Sequence, residues 1–187
     1  MHMKSCTKGF TLTELIVVIA LIGIMLAIVS LNFNTWQKKS IIENQAKEMM
    51  ADLNGQRLQA MQTKTIRMAV FSIDPLISTH PLYVSYRSYT GAEQLNPTPT
   101  TGTEKFRKYP KYPVYTDATL TAPWQSNNPN YLLFDATGLL SNSQSFANIP
   151  VFIYIASTGT GAALDCLAIS RTRMNLGQSN GTTCVYQ

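Results

Sequence analysis

The 187-residue sequence predicts an α+β protein in which one long N-terminal helix precedes a small antiparallel β domain. The first observation is an unbroken apolar run, residues 15–29, close to the N-terminus. The second is an amphipathic pattern of helical period that continues this run to about residue 62. The third is a change to alternating apolar and polar residues after residue 63, which is typical of strands. One helix followed by a series of strands is an α+β layout.

The apolar run predicts a membrane-spanning helix. Residues 10–31 form a segment of 22 residues with a single charge, Glu14. At a rise of about 1.5 Å per residue the segment is about 33 Å long, enough to cross a hydrocarbon core of about 30 Å. A secretory signal peptide carries its small-residue cleavage site after the apolar run, whereas here the small residue, Gly9, precedes it. We therefore expect the helix to stay on the mature protein and the basic leader, residues 1–9, to be cytoplasmic.

Residues 32–63 predict an amphipathic continuation of the same helix. Its apolar residues recur at spacings of three, four or seven, as on a helix face that packs against a sheet: Ile42, Ala46, Met49, Leu53 and Ala60. The polar residues fall mostly on other faces: Lys47, Glu48, Asp52, Gln56 and Arg57. We expect one helix from about residue 11 to about residue 62, its first half in the membrane and its second half on the sheet.

Residues 64–187 predict an antiparallel β domain. Its strand-like segments are residues 65–73, 82–89, 112–117, 131–135, 150–156 and 164–171. Residues 182–186 are a candidate partner for the last of these strands. Residues 90–104 are rich in Thr, Pro and Gly and predict an exposed loop.

The sequence contains no recognisable catalytic or metal-binding constellation. His2 lies in the leader and His80 is the only other histidine, so a His-based triad or metal cluster lacks its residues. No Gly-rich segment sits between a strand and a helix as a phosphate cradle requires. Four aspartates lie at strand ends, where capping of turns is the ordinary role: Asp74, Asp117, Asp135 and Asp165. We therefore expect no enzyme, no cofactor and no metal.

The residues at the start of the apolar run, Gly9-Phe-Thr-Leu-Thr-Glu-Leu-Ile16, closely resemble the class III signal of type IV pilins and type II secretion pseudopilins. The resemblance implies cleavage between Gly9 and Phe10 by a prepilin peptidase, followed by N-methylation of Phe10. It also implies that Glu14, the fifth residue of the cleaved chain, pairs with the N-terminal amine of a neighbouring subunit. Without that role, a carboxylate one turn into the helix would simply lie at the headgroup level. An ordinary signal-anchored protein is the alternative.

Cysteine usage agrees with cleavage of the leader. Three cysteines would leave an odd thiol in an exported protein. Because Cys6 lies in the leader, cleavage leaves Cys166 and Cys184 as an even pair. An oxidising compartment, the periplasm or the cell exterior, would permit a disulfide between them, and two buried free thiols are the alternative.

Later residues resemble one branch of this class, the GspH/FimT minor pilins and pseudopilins. Residues 131–138, Tyr-Leu-Leu-Phe-Asp-Ala-Thr-Gly, resemble a Phe-turn-Gly segment of that branch. Residues 166–177 with Cys184 resemble its final strand and disulfide. The resemblance implies a pilin-like fold, with the N-terminal helix packed against two small antiparallel sheets. Residues 74–130 match nothing specific.

Two basic segments suggest DNA binding as a further hypothesis. Residues 105–115 interleave aromatic residues with four cations: Lys105, Arg107, Lys108 and Lys111. Such a patch can stack bases and neutralise phosphates, whereas a loop with its aromatics folded onto the sheet is the alternative. Ser170-Arg-Thr-Arg173 resembles the Gly-Arg-x-Arg element of DNA-binding FimT proteins of naturally competent bacteria, with Ser in place of Gly. On a strand, Arg171 and Arg173 would point to one face, as a phosphate clamp or as an ordinary solvated face.

Taken together, these observations predict a structural minor pilin or pseudopilin of a type IV pilus or type II secretion system. The expected partners are other pilins or pseudopilins, the prepilin peptidase and the inner-membrane assembly platform. We expect a single-pass protein of the bacterial inner membrane, with its C-terminal domain in the periplasm, that later enters a filament. The alternative is a pilus-associated DNA-binding receptor for natural transformation. Without Lys4 and Lys8 the chain has 13 basic and 10 acidic side chains, less basic than a dedicated nucleic-acid binder.

Overall fold

The computed structural model describes residues 9–73, 82–116, 120, 130–141, 150–157 and 160–186, without the side chains of residues 28–32. The predictions for leader residues 1–8, including Lys4, Cys6 and Lys8, lie outside the described residues, as do those for His80, Asp74 and Asp117.

A single helix, α1, runs from Leu12 to Thr63. Its bounds agree with the predicted 11–62 to within one residue. The chain divides into two compact units, residues 1–38 and 39–187, and the boundary falls within α1. In the first unit the large apolar side chains from Leu12 to Leu26 are exposed. Within the described residues, no helical segment combines the length and the hydropathy that crossing a membrane requires.

The second unit contains two antiparallel sheets of five strands each. In chain order the strands are β1 Ile66–Ile73, β2 Leu82–Tyr89, β3 Thr103–Lys108, β4 Val114–Tyr115, β5 Asn130–Phe134, β6 Leu140–Ser141, β7 Val151–Ile155, β8 Cys166–Ile169, β9 Met174–Ser179 and β10 Cys184–Tyr186. A short 3-10 helix, Gly91–Leu95, follows β2. Sheet A has the order β3-β2-β1-β5-β6, and sheet B has the order β10-β9-β8-β7-β4. The α+β prediction, a helix on antiparallel sheets, is confirmed.

The main core lies between the second half of α1 and the inward faces of both sheets. All five apolar residues of the predicted helix stripe belong to it: Ile42, Ala46, Met49, Leu53 and Ala60. Sheet A contributes residues such as Phe71 and Leu132, and sheet B contributes residues such as Ile153 and Leu167. Each fully buried Leu, Ile or Phe side chain stabilises the fold by roughly 1.5–3 kcal/mol. The stripe therefore fixes the second half of α1, from residue 42 to residue 60, against both sheets.

Strands β1 and β8 are buried on both faces. The side chains of β1 alternate between the main core, through Ala69 and Phe71, and a second cluster that contains Met68 and Val70. On β8, Leu167 and Ile169 face the main core, while Cys166 and Ala168 belong to a third cluster that also contains Cys184. Alternation along a strand explains both patterns, because successive side chains point to opposite faces.

Several local predictions are wrong. Residues 90–104 are not a loop throughout, since β3 begins at Thr103 as an edge strand of sheet A. Within the predicted segment 182–186 only β10, Cys184–Tyr186, is a strand, and it pairs with β9 rather than β8, because the unpredicted β9 lies between β8 and β10. Gln56 was placed outside the helix stripe, yet only 1% of its surface is exposed.

Candidate functional site

The residues of the predicted cleavage site lie ahead of α1. Gly9 and Phe10 are exposed and non-helical, and 80% of the Phe10 surface is accessible. The helix begins two residues later, where the amide of Leu15 donates to the Thr11 carbonyl (3.2 Å). The Gly9–Phe10 peptide bond is therefore outside the hydrogen-bonded helix, in the kind of accessible backbone that proteases require.

Thr11 caps the first turn of α1, a structural role that was not predicted from the sequence. Its hydroxyl accepts a hydrogen bond from the Glu14 amide (3.3 Å), which satisfies one of the unpaired donors of the first turn. The signal that could have identified it is Thr11-x-x-Glu14, the sequence pattern of a capping box. Thr11 thus fixes the start of α1 just beyond the cleavage site.

Glu14 lies in the first turn of α1 and is exposed. A carboxylate in this position is favoured by the partial positive charge of the helix N-terminus. Within the described part of the chain it has no ion-pair partner. The carboxylate is consequently accessible to a positive charge from another molecule.

Two of the four cations predicted on residues 105–115 are paired with carboxylates of the same chain. Arg107 donates to both carboxylate oxygens of Glu104 (3.1 and 3.0 Å) and lies 4.1 Å over the ring of Tyr83. These hydrogen bonds to Glu104 raise the pKa of Arg107. The predicted basic patch therefore loses much of its positive charge at this point.

Lys108 is the second paired cation. Its ammonium lies 2.7 Å from carboxylate oxygens of both Glu48 and Asp52 on α1. Desolvation opposes the charged form, but the hydrogen bonds to Asp52 and Glu48 raise the pKa of Lys108. Lys108 thereby ties the edge strand β3 to the helix.

Lys105 and Lys111, the other two cations, are exposed and form no ion pair within the described residues. The aromatic Phe106 between them stacks on Tyr86 of β2, with ring centroids 4.5 Å apart. Its ring is thus folded onto sheet A. This agrees with the alternative to a base-stacking patch, in which the aromatic side chains pack on the sheet. This leaves two isolated lysines rather than a continuous basic and aromatic surface.

Arg171 and Arg173 do not lie on a strand, as the sequence analysis assumed, but in the turn between β8 and β9. The amide of Ser170 donates to the Arg173 carbonyl (2.8 Å), and the Arg173 amide donates to the Ser170 hydroxyl (3.0 Å). Ser170 does not have a positive φ. Serine is therefore compatible with this turn, although the Gly-Arg-x-Arg element has glycine at this position. Both arginine side chains are exposed.

The same turn is anchored from two sides. The Leu140 amide of β6 donates to the Arg171 carbonyl (3.1 Å), and the guanidinium of Arg57 on α1 donates to the Thr172 carbonyl (2.7 Å). Arg57 is thus a third cation at this turn, again missed from the sequence. The turn contacts the β6 edge of sheet A, whereas Lys105 lies on β3 at the opposite edge, about 19 Å away across the strands. The structure does not unite the two predicted basic segments.

The disulfide between Cys166 and Cys184 is formed, with a Cα–Cα distance of 5.9 Å. It connects β8 to β10 across β9, at the position of Gly177. The two cysteines are buried, together with Tyr154 and Ala168. The pair is therefore bonded rather than two buried free thiols.

A groove of about 400 Å³ lies between α1 and residues 108–111. The acidic side chains that line it, Glu48 and Asp52, are already paired with Lys108. Among the described residues, no group of three or more His, Cys, Asp or Glu is placed to hold a metal ion.

Comparison with known protein families gives one match. The family described as the prokaryotic N-terminal methylation motif matches residues 4–30, which include Gly9, Phe10 and Glu14. The chain carries a type IV prepilin-like signal. No curated protein and no solved structure matches the chain.

Proposed function

We propose that this chain is a structural, non-enzymatic minor pilin or pseudopilin, of the GspH/FimT type, that enters the filament of a type IV pilus or type II secretion system. The observation that carries the proposal is the prepilin-like signal at residues 4–30, combined with an exposed, non-helical Gly9–Phe10 bond. The fold agrees with this role, because a long helix packed on antiparallel sheets is consistent with a pilin-like subunit.

In this proposal the chain first resides in the inner membrane through residues 10–31, with residues 39–187 in the periplasm. The prepilin peptidase cleaves after Gly9 and the new N-terminus, Phe10, is methylated. The apolar side chains exposed along the first unit of α1 are then buried among other pilins or pseudopilins as the inner-membrane assembly platform adds the subunit. The exposed apolar helix and the polar β unit support this division of roles.

Glu14 is proposed to recruit the subunit by pairing with the N-terminal amine of a neighbour. The pairing supports assembly because a carboxylate in an apolar surrounding is costly when it has no partner. An amine at close range removes this cost, and the attraction between two charges is stronger there than in water. The exposed position of Glu14 in the first turn is compatible with this contact.

The experiment that tests the assembly role replaces Glu14 by Ala and by Gln. Both variants should insert into the membrane as the wild type does, yet their amount in purified filaments should fall about tenfold or more, which corresponds to about 1.4 kcal/mol or more of lost pairing. Glu14→Asp keeps the charge and serves as the matched control, with incorporation closer to wild type. Wild-type incorporation of Glu14→Ala would exclude the charge pair.

DNA binding at the turn of residues 170–173 is a second candidate function. The observation in its favour is an exposed arginine pair on a turn that is held in place by Leu140 and Arg57. Phosphate contacts by arginine release counterions, so the affinity should fall steeply with salt.

The test compares two double variants of the same net charge. Arg171→Ala with Arg173→Ala should lower the affinity for duplex DNA and reduce the slope of log affinity against log salt by about 2. Lys105→Ala with Lys111→Ala, which removes exposed cations from elsewhere on the same unit, should change the affinity little. Equal binding by the wild type and the arginine variant would end this candidate.

A further inference from the structure

Phe33 and Trp36 form an exposed aromatic pair on α1, directly after the apolar run. Their exposed fractions are 53% and 64%, and their ring centroids lie 6.1 Å apart. Both residues belong to the first unit, which carries no strand of either sheet. Two adjoining exposed aromatic rings on one helix indicate an interaction surface.

The position of the pair along α1 points to the boundary of a bilayer. If residues 10–31 span the hydrocarbon core, Phe33 lies about 3 Å and Trp36 about 7–8 Å beyond it, at 1.5 Å per residue. The headgroup layer on each side of the core is about 5–7.5 Å thick, so Phe33 lies within it and Trp36 lies at its outer edge. Aromatic rings, tryptophan above all, are enriched at this level because they combine an apolar body with a polar edge.

The neighbouring residues favour a lipid interface over a dry contact between helices. Asn34, Thr35 and Gln37 surround the aromatic pair, so this band of α1 mixes polar groups with aromatic rings. Lys38 follows at once and is exposed, and it is the first charged residue after Glu14. A lysine at this height can reach lipid phosphates with its ammonium group.

We propose that Phe33 and Trp36 anchor the chain at the headgroup level of the periplasmic leaflet, with Lys38 on the lipid phosphates. The anchor fixes how deeply the apolar helix sits in the membrane before the subunit is added to a filament. The inference rests on the proposed function, because it requires residues 10–31 to span the membrane.

The test uses the purified full chain in vesicles of phosphatidylethanolamine and phosphatidylglycerol whose acyl chains carry bromine at one of several depths. The chain has two tryptophans, Trp36 and Trp124. The variant Trp36→Phe emits from Trp124 alone, so the difference between the wild-type spectrum and the variant spectrum gives the emission of Trp36. We expect quenching of Trp36 to be at least about twofold stronger with bromine near the headgroups than with bromine near the bilayer centre.

The outcomes separate the inference from the proposed function. Protein that floats with the vesicles while Trp36 is quenched most from the bilayer centre overturns the anchor alone. Blue-shifted emission that no brominated lipid quenches also overturns it, because a second copy of the chain then covers the pair. Protein that fails to float with vesicles removes the proposed membrane helix and the anchor with it.

Discussion

The Asp135 side chain accepts three hydrogen bonds in the turn between β5 and β6. One of its carboxylate oxygens accepts hydrogen bonds from the Thr137 amide (2.8 Å), the Thr137 hydroxyl (2.5 Å) and the Leu139 amide (3.1 Å). Gly138 completes the turn with a φ of +76°, and an added methyl group there would collide with Met61 of α1. The turn is consequently held in one conformation against the helix.

The ionisation of Asp135 should make the stability depend on pH. Burial opposes the charged form, but the hydrogen bonds from Thr137 and Leu139, together with the charge of Arg171, lower its pKa below the ordinary value of 3.8. A lowered folded pKa means that the charge contributes stability above pH 3.8 and that this contribution is lost as the pH falls through the folded pKa.

We therefore expect Asp135→Ala to destabilise the protein at pH 7 by about 1–2 kcal/mol, because the partly exposed turn loses its hydrogen bonds to a charged group and water replaces part of them. The difference from the wild type should narrow below pH 3.8. Urea denaturation of the detergent-solubilised chain at several pH values measures this difference, with Glu14→Ala, an exposed acidic residue of the first unit, as the control. A difference that stays constant down to pH 2 would contradict the proposed role of the charge.

At the residue scale, the sequence predicts the burial of residues that recur with helical or strand spacing. The helix stripe from Ile42 to Ala60 follows from period alone. The burial of Gln56 could not be predicted in this way, because a polar residue is assigned to solvent unless its neighbours in space are known. The partners of Lys108 were likewise unpredictable, because Glu48 and Asp52 precede it by more than fifty positions.

At the scale of elements, the close approach of β10 to β9 depends on a residue without a side chain. A Cβ atom at Gly177 would collide with the Val185 carbonyl and lie 3.0 Å from the Cys184 sulfur. Backbone atoms cannot move aside as a flexible side chain does. The absence of a side chain at Gly177 therefore allows β10 to pack here and the disulfide to close.

We expect Gly177→Ala to lower the free energy of unfolding by about 1–3 kcal/mol, because the strand must shift to admit the methyl group. Gly55→Ala is the matched control, since nothing lies within 4 Å of a Cβ at this helical position. That control should raise the free energy of unfolding by about 0.5–1 kcal/mol. Both values come from chemical denaturation, and equal stability of Gly177→Ala and wild type would refute this account of β10.

The sequence predicts the strands that have a clear alternating apolar pattern. It does not predict the strands that exist only because neighbouring strands supply their hydrogen bonds. β2 has the predicted bounds, residues 82–89, because its apolar and aromatic residues alternate. β3 was missed because it is rich in charge, which is common at the edge of a sheet but gives no apolar pattern. β9 was missed because Asn175, Gly177 and Gln178 are poor strand formers, and its neighbours β8 and β10 supply the hydrogen bonds that hold it.

At the scale of the whole molecule, the chain contains two units with different surfaces. The first exposes apolar side chains along α1 and includes the whole of the prepilin-like signal, residues 4–30. The second has its own core and a disulfide, as expected of a domain in an oxidising compartment. The exposed apolar helix of the first unit is the surface on which the proposed filament role depends.

The central claim is that the signal is processed, and intact mass spectrometry of the chain recovered from membranes tests it most directly. Cells with the prepilin peptidase should yield a chain that begins at Phe10, carries one added methyl group and lacks two hydrogens for the Cys166–Cys184 bond. Cells without the peptidase should yield the full chain with its leader. A chain that begins at Met1 in both strains, or one that is cut after the apolar run, would contradict the filament function.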